Sequence, residues 1–75
     1  MKDNVYQMVN RVKRENYSYK FAYSTPLERG NVYATANVLK SFGYKFLLYA
    51  TETHVHVNML KRGDEAKLME YLIKE

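Results

Sequence analysis

His54 and His56, in the run Thr53-His54-Val55-His56-Val57, are the first residues whose types and spacing could do chemistry. On a strand, side chains two apart point the same way, with Cα atoms roughly 6.5 to 7 Å apart, so the pair could share a metal ion. Zinc needs a third ligand, usually a carboxylate or another imidazole. The chain has two histidines and no cysteine, and the nearest acid, Glu52, falls at a turn. The expectation is therefore two half-exposed strand histidines, with no metal and no cofactor.

The same alternation gathers Lys20, Lys45, Leu47, Tyr49, His54, His56 and Asn58 on one face of a sheet. A mixture of rings and cations is how some RNA-binding sheets stack bases and neutralise phosphates. With Leu47 and Tyr49 as apolar anchors, the set serves equally as a protein interface or as the floor for a helix. Packing or oligomerisation ranks above nucleic acid, because the aromatic-rich signatures of RNA-binding sheets are missing and Tyr49 is the one plain stacking platform. Arg11, Lys13 and Arg14 form a second basic group. They are either phosphate contacts or cations placed at a helix C-terminus, where the macrodipole favours them.

Other chemistries find no support in the spacing. The three glycines are spread as punctuation rather than gathered in a phosphate loop, and the acids are scattered over helix faces. Ser18, Ser24 and Ser41 sit in no nucleophile context. Tyr17, Tyr19, Tyr23 and Tyr44 read as core residues with hydroxyls reaching solvent.

Seventy-five residues allow one small domain, 1–75, near the lower size limit for a fold without disulfides or metals. The hydrophobic share of 47% is that of a globular chain, and the absence of cysteine suits a reducing compartment. No apolar run approaches the roughly 20 residues of a membrane-spanning helix, and Met1-Lys2-Asp3-Asn4 leads into no signal-peptide core, so the expected location is cytoplasmic. The net charge of +4 is uneven: residues 1–45 carry eight Lys or Arg against three acids, and residues 46–75 carry four against five. That excess is compatible with nucleic acid or an acidic protein, but solubility alone explains it as well.

The elements follow from periodicity and caps. Val5, Met8, Val9 and Val12 stripe a helix over residues 3 to about 15, which is also a candidate interface helix. Tyr17, Tyr19, Phe21 and Tyr23 form a strand with its aromatic row toward the core. Thr25-Pro26-Leu27-Glu28 is a capping box that opens a second helix, whose regular part is expected from Asn31 because Gly30 weakens the first turns. Its buried stripe is Val32, Thr35, Ala36, Leu39 and Phe42, and Gly43 ends it in the left-handed conformation. Tyr44 to Met59 is a hairpin. A turn at Thr51-Glu52 would set Tyr49 opposite His54, Leu48 opposite Val55 and Phe46 opposite Val57, although these are poor turn residues and a longer loop is expected. After Lys61-Arg62-Gly63, Asp64 caps a last helix with Ala66, Met69, Leu72 and Ile73 inward and Leu68 beside them.

The chain order is thus α-β-α-β-β-α, an α+β fold with a three-stranded antiparallel or mixed sheet in the order 1-3-2. The second and third helices are expected to cover the aromatic face. The first helix is the candidate cover for the histidine face, in its own chain or in a homodimer.

His54-Val55-His56 resembles the His-hydrophobic-His element of single-strand nucleases that initiate rolling-circle replication or transposition. The resemblance covers three residues. It implies a metal held by the two histidines and a helix tyrosine, here Tyr71, attacking phosphate, but Tyr71 is expected on the opposite side of the sheet. In its Tyr-, Lys- and Asn-rich character the chain is similar to many small phage and prophage products. The reading preferred from the sequence is a small non-enzymatic binding protein, self-associating and acting through protein contacts. Nucleic-acid binding is the alternative and a metal-dependent His-x-His nuclease the minor one; no membrane or small-molecule partner is expected.

Overall fold

A computed structural model describes residues 2–74. Helix α1 (Lys2–Val12) is followed by strand β1 (Ser18–Ala22), helix α2 (Pro26–Lys40), strands β2 (Lys45–Ala50) and β3 (His54–Lys61), and helix α3 (Glu65–Ile73). The strands form one antiparallel sheet in the order β1-β3-β2, so the α+β class, the order 1-3-2 and the element order are as the periodicity predicts. The histidine strand is central. No helix among the described residues is long and apolar enough to cross a membrane.

Helix α2 shows how local chemistry sets its ends. Thr25 Oγ1 accepts from the Glu28 amide at 3.2 Å, and the Glu28 carboxylate reaches back to the Ser24 amide at 3.1 Å rather than to that of Thr25. With Pro26 pre-set for the first turn, the helix runs unbroken through Gly30, against the expected start at Asn31. Two satisfied caps offset the glycine's cost of about 1 kcal/mol. At the other end Gly43 adopts φ 91°, and the bonds Gly43 N–H to Lys40 O (3.0 Å) and Tyr44 N–H to Leu39 O (3.3 Å) close a Schellman motif.

Three expectations are corrected. Helix α1 stops at Val12, because Lys13 turns into the left-handed region at φ 70°. In the hairpin, Tyr49 pairs with His56, Leu48 with Val57 and Phe46 with Met59, two residues from the expected register. The turn residues are Glu52 and Thr53: the Thr51 amide donates to His54 O at 2.8 Å, and Thr51 Oγ1 takes the His54 amide at 3.1 Å. The Thr51 carbonyl is thereby freed to accept from the Tyr23 hydroxyl. In α3 the buried face is Leu68, with Tyr71 and Leu72 half-buried, while Ala66, Met69 and Ile73 are exposed. Both rotations satisfy helical spacing, and the one adopted lets Tyr71 meet Phe42 at 5.4 Å between ring centroids.

All three helices lie on one face of the sheet. Val5, Met8 and Val12 of α1, Ala36 and Leu39 of α2 and Leu68 of α3 share one buried cluster with Phe46, Val55, Val57 and Met59 of the strands. The first helix therefore joins the aromatic side and does not cover the histidines. Its stripe is a correction to the interface reading: Val5, Met8 and Val12 are spent on the chain's own core, and Val9 is partly buried against it.

The junctions are tied by Arg62 and Gly63. The Arg62 guanidinium donates to Lys13 O at 2.9 Å and to Glu65 at 2.8 Å, and its amide donates to the Glu15 carboxylate at 2.8 Å. The bond to Glu65 raises the Arg62 pKa further above its ordinary value. Gly63 passes so close to the end of α2 that a Cβ there would lie 2.7 Å from the Tyr44 nitrogen and nearer still to the Phe42 carbonyl and the Tyr44 ring.

Candidate functional site: the uncovered sheet face

The alternation of three paired strands lays the outward residues in rows across the sheet. Lys20 of β1, His56 of β3 and Tyr49 of β2 form one row; Ser18, Asn58 and Leu47 form the next. Ala22 and His54 lie beyond, toward the turn. The sheet set chosen from the sequence is therefore brought together, with Lys45 at the start of β2. Leu47 is 58% exposed, Tyr49 57% and Leu60 50%, while His54, His56 and Asn58 are half-buried between their neighbours.

The geometry within the rows is specific. The Tyr49 and His56 rings stack 4.4 Å apart and nearly parallel, at 5°. His54 Nδ1 shares a hydrogen bond of 2.7 Å with the Thr53 hydroxyl. Asn58 Nδ2 donates to Ser18 Oγ at 2.9 Å, while its Oδ1 is buried and unpartnered among the described residues. Lys20 and Lys45 are exposed, and the outward residues of the three strands include no carboxylate. This makes the face apolar at its β2 side and cationic at the middle of β1 and the start of β2.

Among the described residues no group of three or more His, Cys, Asp or Glu side chains could hold a metal ion. Tyr71, the tyrosine implied by the nuclease resemblance, packs on Phe42 across the sheet from the histidines, so the metal-plus-tyrosine arrangement is not assembled. The basic group at 11–14 is also separate from the face. Arg11 donates to the Tyr19 hydroxyl at 2.8 Å and lies 5.7 Å from that ring, on the helix side. Arg14 lies 5.2 Å from the Tyr17 ring, and the Lys13 carbonyl is held by Arg62. Of the three, only Arg11 lies in the last turn of α1, where a helix dipole acts on it.

Two residues that matter here were not singled out from the sequence. Leu60 continues the alternation of His56 and Asn58, so extending the strand by one turn of the pleat would have found it. Arg62 carries no sequence signal, since its partners at Lys13 and Glu15 are distant along the chain. A cleft of about 270 Å³ lies elsewhere, between α1, β1 and α2, lined by Gln7, Met8, Phe21, Asn31 and Thr35 among others. No family model matches the chain, and no curated protein or solved structure is significantly similar to it.

Proposed function

We propose that this protein is a small non-enzymatic binding module whose uncovered sheet face docks a protein partner. The observation that carries this is the placement of all three helices on one side, which leaves Leu47, Tyr49 and Leu60 half exposed or more on the other. Full burial of an exposed large apolar side chain contributes about 1.5 to 3 kcal/mol, so covering the exposed half of each of these three contributes about 1 kcal/mol apiece. Tyr49 is held rigid by its stack on His56, which reduces the entropy lost when it is buried at an interface. Lys20, Lys45 and His54 supply polar groups around them, and Asn58 one between Ser18 and Leu47.

One observation favours a second reading. A face without carboxylates, with two lysines around a stacked ring pair, also suits single-stranded nucleic acid. His56 occupies one side of the Tyr49 ring, however, so a single ring face remains for a base. Capture from a native lysate with Tyr49→Ala and Leu60→Ser variants, beside a Leu27→Ser control on α2, tests the protein reading: it expects loss of the captured protein with the first two only. Equal capture by all of them refutes it. Oligonucleotide binding that weakens steeply with salt and is lost on Lys20→Glu would install the second reading in its place.

A further inference from the structure

The free edge of β2 has features that the face alone does not explain. The Thr51 amide donates to His54 O, and from this the antiparallel alternation turns the backbone groups of Leu47 and Tyr49 toward β3 as well. Those of Phe46, Leu48 and Ala50 point away from the sheet, because β2 is an edge strand. Edge strands are normally guarded by a central charge, a proline, a bulge or a short length. The other edge, β1, has Lys20 at its midpoint. In β2 the one charge, Lys45, and the one irregularity, between Lys45 and Phe46, both sit at its start, leaving Phe46 to Ala50 uncharged and regular.

We propose that two copies of the chain pair β2 against β2 about a two-fold axis at Leu48, forming one continuous six-stranded antiparallel sheet. The strand is self-complementary in that register. Leu48 faces its own copy, Phe46 faces the small Ala50, and Leu47 faces Tyr49 as a close, non-hydrogen-bonded pair on the uncovered face. Each facing outward pair exchanges two backbone hydrogen bonds, about six in all. Charge agrees with the pairing. The two Lys45 residues lie roughly 20 Å apart along the strands, beyond the screening length, and each comes to the turn that carries Glu52 of the other copy. The proposal concerns the edge and needs no other partner, so it stands or falls separately from what the face binds.

Light scattering of the full chain from micromolar to near-millimolar concentration tests it. The mass is expected to rise from 8.9 kDa toward twice that value, with the Phe46, Leu48 and Ala50 amides gaining protection from hydrogen exchange as it does. Leu47→Lys with Tyr49→Lys sets like charges opposite one another across the axis and is expected to abolish the dimer; Leu47→Lys with Tyr49→Glu sets opposite charges there and restores it. Monomer mass at every concentration overturns the proposal and leaves the edge to a strand from a different protein. A dimer whose three edge amides exchange freely, or one that survives the double lysine variant, also overturns it. Should that variant fail to fold, the wild-type amide exchange decides.

Discussion

Replacing Tyr44 by Phe should make the protein more stable. Tyr44 is 1% exposed, its ring lies parallel to Phe46 at 6.1 Å, and its hydroxyl oxygen is buried with no hydrogen-bond partner among the described residues. A buried polar group left without a partner costs about 1 to 3 kcal/mol. Phenylalanine keeps the ring and removes that cost, and the small void left by the oxygen returns part of the gain. The net expectation is a stabilisation of about 1 kcal/mol, read as a rise of roughly 4 to 8 °C in Tm for a domain of this size.

The same substitution has a signature in pH. Burial, and then the negative charge of Glu65, raise the Tyr44 pKa above its ordinary value of 10.0, with Arg62 opposing. The unfolded chain therefore releases this proton first as the solution becomes alkaline. The stability tied to the neutral phenol is fully present below pH 10 and is lost as pH rises through the higher folded value. The variant lacks this group, so its advantage should widen above about pH 10, and comparison with wild type removes the effect of the other tyrosines. Urea titrations at neutral and alkaline pH measure both quantities. A loss of about 1 kcal/mol at neutral pH would show that the hydroxyl is bonded, and an unchanged difference in alkali would show that burial does not hold its proton.

Two further substitutions test the junctions. Gly63→Ala drives a methyl group into backbone atoms of Phe42 and Tyr44 and should cost about 2 to 3 kcal/mol, seen as a lower urea midpoint with an unchanged slope; a shift below about 0.5 kcal/mol would mean that the junction yields easily. Lys13→Gly relieves a side chain held at φ 70° and should raise stability by roughly 0.5 to 1 kcal/mol in the same assay, despite glycine's greater freedom when unfolded.

The strand order, the central place of the histidine strand and the caps of α2 were legible because each rests on local rules. Thr25 with Glu28, and Gly43, act within a few residues of themselves. The two faces of the hairpin were equally legible, but its register was not. Moving the turn by one residue, from Thr51-Glu52 to Glu52-Thr53, slides the partner by two and returns every side chain to the same face, so the alternation is blind to it. The observed turn is held by bonds that the alternation does not show: Thr51 to His54 within it, and the Tyr23 hydroxyl, just past β1, to the Thr51 carbonyl. Helix α1 presents a related ambiguity. Its stripe of Val5, Met8 and Val12 demands an apolar surface without saying which, and in the fold it joins the cluster on the aromatic side, against which Tyr19 and Phe21 also pack. The candidate face itself was found by alternation, and its uncovered state followed only from where that helix went.

The central position of β3 has a consequence for how the chain comes off the ribosome. Strands β1 and β2 are both edges and share no hydrogen bonds with each other, so each must wait for β3, which is made after both. Until His54 to Lys61 have been synthesised, Tyr19, Phe21, Phe46 and Leu48 belong to strands with no partner to pair with. Once β3 emerges, the hairpin can close locally through its short turn, and β1 is recruited across α2 at a greater cost in chain entropy. A chain released before residue 54 therefore has two strands and no third to join them, and Tyr19, Phe21, Phe46 and Leu48 are left open to aggregation or chaperone capture.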